Sequence, residues 1–140
     1  MHSIGRKVVI MATLTNLVFA PTNVDGVMVF NTTPHPITFG VGEGTVEVPT
    51  SVLINATPVE EVVSDENGVK LVRTVFKGNE EGHALIAAMK ESCPEAVIVG
   101  SIIAAQAFPG EVVGMTPLPG FERVAPAEKR MNPHKFTTFA

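Results

Sequence analysis

Two prolines separated by one residue, Pro34 and Pro36, constrain the fold of this chain more than any other feature. Each proline fixes its own φ at about −65° and disfavours helix at the residue before it, so Thr33 and His35 are held extended. The runs on either side are β-branched and aromatic, which predicts a strand before the prolines and another after them. The sequence therefore predicts a rigid polar corner between two strands that presents one imidazole.

The His35 imidazole admits two interpretations. Held in an extended segment, it is available to bind a ligand or to act as an acid or base near neutral pH. Alternatively, the corner is only a well-satisfied turn, in which Asn31, Thr32 and Thr33 hydrogen-bond to local backbone and the imidazole packs. The sequence leaves both interpretations open.

Length and composition indicate one domain. The chain has 140 residues, and 45% of them are hydrophobic, which is enough to build a core without disulfides or metal. We expect a single domain over residues 1–140, with an N-terminal strand or arm at 1–26, a core at 27–120 and an extended tail at 121–140.

Charge and metal-ligand content narrow the classes of function. The net charge of −4 provides no basic field, so nucleic acid is not an expected partner. The single cysteine, Cys93, excludes an intrachain disulfide and a cysteine-based zinc site, and we expect it to be a small buried residue rather than a nucleophile. The four histidines show no ligand spacing, so we expect no metal and no other cofactor.

The first twenty residues imitate a secretion signal, with basic residues ahead of an apolar run. Polar residues interrupt that run, and it is too short to span a bilayer, so we expect a cytoplasmic protein without a membrane partner. Residues 8–19 predict a strand, either at a sheet edge or as an arm on a neighbouring subunit. Whether Met1 or Met11 is the natural start stays open.

Turn signals and periodicity predict the remaining elements. Asn79 is the expected cap of the only long helix, whose buried stripe is Leu85, Ile86 and Met89. The predicted elements are turns or loops at 22–26, 40–44 and 65–68, strands at 45–48, 51–54, 59–63, 69–76, 96–99 and 111–115, and helices at 79–92 and 102–108. We predict an α+β fold, with a mostly antiparallel twisted sheet or a partly closed small barrel carrying one longer and one short helix.

Two further residues are candidates for anion binding. Arg73 shares one strand face with Val69, Leu71 and Val75, and a guanidinium among apolar neighbours needs an anion, a carboxylate or backbone carbonyls as its partner. Ser101 lies between a predicted strand and a predicted helix, where it either caps the helix or helps free backbone N–H groups to hold an anion.

The last twenty residues carry a local charge of +2 on a chain of −4. This proline-spaced tail ends in two phenylalanines and is not expected to fold alone. We therefore expect it to dock on a second copy of the chain, so that the tail and the N-terminal arm together form a homo-oligomer.

Three segments resemble a family of small proteins found in bacteria, phages and some fungi. They are Asn31-Thr32-Thr33-Pro34-His35-Pro36-Ile37, Leu71-Val72-Arg73-Thr74-Val75-Phe76, and Ile98-Val99-Gly100-Ser101-Ile102-Ile103-Ala104-Ala105-Gln106-Ala107. Members open on Asn-Leu-Thr-Pro-His-x-Ile/Val and continue with an Arg-Thr-x-Phe/Tyr strand and a Val-Ser-x-x-Val-Ala helix start. The resemblance covers about residues 30–114 and implies a residue set, but no particular reaction.

Three classes of function follow. The favoured class is a non-enzymatic, homo-oligomeric binding or interaction protein. A phage origin is one option, and a phage protein would lie in the host cytoplasm or in the virion. Its candidate pocket takes a small anionic or nucleotide-like ligand and is formed by His35, Arg73, Ser101, Thr33 and Gln106. The alternatives are a structural assembly subunit of a virion or complex, and a small hydrolase or lyase with His35 as general base. No activated nucleophile with a visible base supports the enzyme.

Overall fold

The computed structural model of this chain describes residues 19–140. In that part of the chain the strands are β1 (Thr22–Val24), β2 (Val27–Asn31), β3 (Ile37–Val41), β4 (Gly44–Val48), β5 (Thr57–Glu66), β6 (Val69–Lys77), β7 (Val97–Val99), β8 (Gly114–Pro117) and β9 (Met131–Thr137). The helices are α1 (Glu80–Ser92) and α2 (Ile102–Ala107), with a 3₁₀ turn at Pro126–Glu128. This content confirms the predicted α+β class with one longer and one short helix, and the described sheets stay open rather than closing into a barrel.

The first sheet has the strand order β1-β2-β7. A two-residue turn joins β1 to β2, and both of its residues, Asp25 and Gly26, have positive φ, which matches the twist of a tight hairpin. β2 then runs parallel to β7, with Phe30 opposite Ile98. The predicted turn at 22–26 is therefore wrong in its extent, because its first residues form β1. Residues 8–18 of the strand predicted at 8–19 lie outside the described residues.

The second sheet has the order β4-β3-β9-β8. β3 and β4 form a hairpin, while β9 runs parallel to β3, with Phe39 opposite Met131, and antiparallel to β8. The sequence predicted an extended tail over residues 121–140, but its distal part supplies an interior strand of this sheet. The strand predicted at 111–115 is displaced, since β8 begins at Gly114.

The β1-β2-β7 sheet separates two hydrophobic cores. Successive residues of β2 point to opposite sides, so Phe30 joins the helices in one core and Val29 joins the second sheet in the other. Full burial of each of these two side chains contributes roughly 1.5–3 kcal/mol. The result is three layers, namely helices, the β1-β2-β7 sheet and the β4-β3-β9-β8 sheet.

Helix α1 begins and packs as the sequence predicts. The Asn79 side chain accepts a hydrogen bond from the Gly82 backbone N–H at 2.8 Å, and Leu85, Ile86 and Met89 are buried. Neither helix in residues 19–140 has the length and apolar composition that a membrane crossing requires.

The strands β5 and β6 pair only with each other and form a separate two-stranded sheet. Their antiparallel register runs from Thr57 opposite Lys77 to Glu66 opposite Val69, with a bulge between Val62 and Ser64. The turn is Asn67-Gly68, with positive φ at both residues as predicted for a tight hairpin. We call this element the β5–β6 hairpin.

Residues 51–54, predicted as a strand, lie in no strand of the structure. Ser51 N–H donates to the Asn31 backbone oxygen at 2.8 Å, and Ile54 N–H donates to the Thr32 backbone oxygen at 3.3 Å. Because these bonds satisfy the segment without a regular ladder, its apolar character reflects packing and not strand formation.

Candidate functional site

Asn31 is the centre of the proline corner. Its buried Nδ2 donates to the backbone oxygens of His35 and Val48, at 2.8 and 3.0 Å, and its Oδ1 accepts from the Thr33 N–H at 2.8 Å. Thr33 Oγ1 lies 2.6 Å from Asn31 Oδ1 and 2.9 Å from His35 O. Every polar group of the Asn31 side chain is therefore satisfied inside the corner.

The corner is also tied to β7. The backbone N–H and the hydroxyl of Thr32 both donate to the Val99 backbone oxygen, each at 2.8 Å. A Cβ at the next residue, Gly100, would lie 3.0 Å from Thr32 Oγ1 and 2.7 Å from Val112, so glycine allows this close approach. The start of helix α2 thus lies beside the corner.

The two predicted corner residues differ in accessibility. Thr33 is buried within the Asn31 network, whereas His35 is exposed. Within residues 19–140 no hydrogen bond or ion pair engages the His35 ring. The geometry is that of a well-satisfied turn carrying an imidazole on its solvent side.

Ser101 immediately precedes helix α2 and Gln106 lies on it, and both residues are exposed. The Ser101 hydroxyl accepts a hydrogen bond from the Ala104 N–H at 3.1 Å, which makes it the cap of the helix. The capping interpretation of Ser101 is confirmed.

Arg73 has a partner, but not a buried one. Its Nε lies 3.7 Å from Glu61 Oε2 across the β5–β6 hairpin, and the two side chains are 66% and 44% exposed. A carboxylate is one of the partners that the sequence analysis gives Arg73, and the face that Arg73 shares with Val69 and Leu71 is open to solvent. An ion pair this exposed contributes at most about 1 kcal/mol.

The shared pocket of the five predicted residues stays a prediction, and the described hydrogen bonds directly join only Thr33 and His35 among them. Thr33 and His35 belong to the corner, and Ser101 begins the helix beside it, but no described hydrogen bond or ion pair links Arg73 or Gln106 to them. A small cavity of about 50 Å³ lies at the start of α1, lined by Leu53, Ile54, Asn55, Asn79, Glu81, Gly82 and Leu85. It has room for one or two waters rather than for a nucleotide-like ligand.

Two further histidines each lie close to one carboxylate. His83 Nδ1 lies 3.4 Å from Glu111 Oε2, and His134 Nε2 lies 2.9 Å from Asp25 Oδ2. Among residues 19–140, no three His, Cys, Asp or Glu side chains come together so that they could hold a metal ion. Cys93 is buried as predicted, and burial together with the Glu95 carboxylate raises the pKa of its thiol, which disfavours the nucleophilic thiolate.

The feature that the sequence did not reveal is an apolar surface on the β5–β6 hairpin. Val62, paired with Val72, lies on one face, and Leu71 and Val69 lie on the other. Their exposed fractions are 56% for Val62, 43% for Val72, 56% for Leu71 and 58% for Val69. Val59 and the bulged Val63 are exposed as well, so we define these six residues as the hairpin surface.

No known protein family, curated protein or solved structure matches this chain. The likeness to the bacterial, phage and fungal family thus stays a prediction. The functional argument therefore depends on the geometry of this chain alone. The hairpin surface is the most distinctive feature of that geometry.

Proposed function

We propose that this protein is a non-enzymatic assembly subunit that forms homo-oligomers through its β5–β6 hairpin. The hairpin surface is the observation that supports this function. Six valine or leucine side chains, on both faces of a ribbon two strands wide, are each between 39% and 58% exposed.

An isolated two-stranded ribbon is marginally stable in water unless a third strand or another layer covers it. The β5–β6 hairpin has ten residues in one strand and nine in the other, yet both of its faces remain largely open. Several exposed apolar side chains grouped on one element indicate an interaction site. A partner that covers the ribbon accounts for both its length and its composition.

Burial of the hairpin surface offsets much of the free-energy cost of association. Burying the exposed half of one valine or leucine side chain contributes roughly 1 kcal/mol, so covering the hairpin surface contributes on the order of 5 kcal/mol per subunit. The two sides of one contact together reach the range of about 4–15 kcal/mol that association costs in lost freedom of motion.

The rival functions have less support. An anionic ligand would need Arg73 and Ser101 at one place, but they lie on different elements and each already has a partner. A hydrolase would need a group that orients His35 as a general base, and no such group contacts its ring within residues 19–140. The family resemblance is compatible with a virion or complex subunit in a phage or bacterial setting.

The experiment is to measure the mass of the purified protein by size-exclusion chromatography with light scattering. We expect wild type to exceed the 14.8 kDa of one chain, and the Val62→Thr/Leu71→Thr variant to fall to that mass. Leu53→Thr is the matched control, because Leu53 is 46% exposed but lies outside the hairpin, and it should keep the wild-type mass. A monomeric wild type, or a hairpin variant with the wild-type mass, would contradict the proposal.

A further inference from the structure

The charges of the β5–β6 hairpin are segregated by strand. β5 carries four acidic residues and no basic one, whereas β6 carries three basic residues and no acidic one. They are Glu60, Glu61, Asp65 and Glu66 on β5, and Lys70, Arg73 and Lys77 on β6. The hairpin therefore has one acidic edge, formed by β5, and one basic edge, formed by β6.

Pairing inside the hairpin uses only part of this charge. Arg73 faces Glu61, and Lys70 stands opposite Asp65 in the register. The other three charged residues face uncharged ones, since Glu60 is opposite Thr74, Glu66 is opposite Val69 and Lys77 is opposite Thr57. Acidic charge on one strand and basic charge on the other thus remain available to a neighbour.

Both outer edges of the hairpin also lack a strand partner within residues 19–140. The bulge between Val62 and Ser64 divides the edge of β5 into two segments, and each segment carries two of its four acids. An unpaired edge presents backbone N–H and C=O groups that can form a ladder with another strand.

We propose that the acidic β5 edge of one copy pairs, antiparallel, with the basic β6 edge of the next copy. This inference rests on the proposed assembly function and specifies its geometry. Equivalent edges are poor partners for each other, because β5 against β5 opposes acids to acids and β6 against β6 opposes bases to bases. Only the unlike edges combine backbone pairing with opposite charge.

The arrangement has a consequence for symmetry. A contact between two different edges is heterologous, so it joins copies head to tail into a ring of three or more, or into an open filament, and not into a two-fold dimer. In such an array the hairpins form one continuous sheet, in which the apolar side chains of the hairpin surface gain cross-strand neighbours from the next copy.

Two charge variants test the pairing, each altering one edge and sparing the Arg73–Glu61 pair. The β6 variant is Lys70→Glu/Lys77→Glu, and the β5 variant is Glu60→Lys/Glu66→Lys. In light scattering at about 50 mM salt, where surface charges are weakly screened, we expect wild type to contain three or more chains. Each variant alone should fall to the mass of one chain. Their equimolar mixture should regain a mass of at least two chains, because one native acidic edge and one native basic edge can meet and the two altered edges again carry substituted charges of opposite sign.

The outcomes separate this inference from the proposed function. A wild-type dimer, either charge variant with the wild-type mass, or a mixture that stays monomeric would overturn the edge pairing. If Val62→Thr/Leu71→Thr dissociates the oligomer while both charge variants keep it, the assembly function stands and only the edge pairing fails. Circular dichroism checks that each variant folds, and the neutral Lys70→Gln/Lys77→Gln replaces the β6 variant if that one does not.

Discussion

The side-chain amide of Asn31 donates a hydrogen bond to the backbone oxygen of Val48 at 3.0 Å, in the protein interior. The bond links the end of β2 to the end of β4, which belong to different sheets. One buried side chain therefore helps to fix how the two sheets meet at the corner.

Replacing Asn31 by aspartate should destabilise the fold strongly. A carboxylate cannot donate to the Val48 oxygen, and it also places an uncompensated charge in the interior, so we expect the free energy of unfolding to fall by about 3–5 kcal/mol. Urea denaturation followed by circular dichroism measures the change. Asn23→Asp is the matched control, because Asn23 only accepts an exposed hydrogen bond, from Gly26 N–H. Equal midpoints for the two variants would refute the role assigned to Asn31.

Gly82→Ala should reverse the usual helix-propensity effect. Alanine normally stabilises a helix interior by about 1 kcal/mol relative to glycine, but a Cβ at Gly82 would overlap the buried ring of Phe108. We expect a loss of about 1–3 kcal/mol in the free energy of unfolding. Gly44→Ala serves as the comparison, since its Cβ would meet only the Val41 backbone oxygen, at 3.8 Å. A Gly82→Ala protein more stable than wild type would contradict the packing.

Ser101→Ala tests the cap of helix α2. Loss of the hydrogen bond from Ala104 N–H should lower the free energy of unfolding by about 1 kcal/mol. Ser101→Asp retains an acceptor at the cap position and should restore most of this loss. Thermal unfolding of wild type and the two variants measures these changes in stability. An alanine variant as stable as wild type would show that the cap does not stabilise the helix.

The pH dependence of stability should contain a contribution from Cys93. Burial, and then the hydrogen bond and charge of Glu95, raise the pKa of the Cys93 thiol. The folded chain therefore holds this proton more tightly than the unfolded chain does. The resulting stability is complete at neutral pH, below the unfolded-state pKa, and is lost as pH rises through the folded-state pKa.

Urea unfolding between about pH 7 and pH 10.5 measures this effect, which begins above the ordinary thiol pKa of about 8.5. We expect the free energy of unfolding to fall more steeply with pH in wild type than in Cys93→Ala. The alanine variant has a smaller side chain in the core, so only the two slopes are compared. Parallel slopes would argue against a raised thiol pKa.

Local signals in the sequence predicted much of the fold. The Asn79 cap, the buried stripe of α1 and the Asn67-Gly68 turn depend on residues within a few positions of each other, and all three are present. The Ser101 cap is a signal of the same kind. The sequence predicts such features because residues within one helical turn or one hairpin determine their stability.

The sequence did not predict features that depend on contacts between distant parts of the chain. The tail segment became β9 because β3 offers it an edge across roughly 90 residues, a separation that no periodicity records. The hairpin was misleading for a different reason. Its strands carry apolar residues on both faces, which is the pattern of a covered strand, whereas the structure leaves six of these valine and leucine side chains exposed.

The interior position of β9 has a consequence for synthesis on the ribosome. β3 leaves the exit tunnel with one side paired to β4, and its other side must wait for β9. At about 5–20 residues per second, the roughly 90 intervening residues take on the order of 5–20 s to appear. Throughout that interval the nascent chain carries an open strand beside the half-built second core, so we expect it to need protection by a chaperone until the last strand arrives.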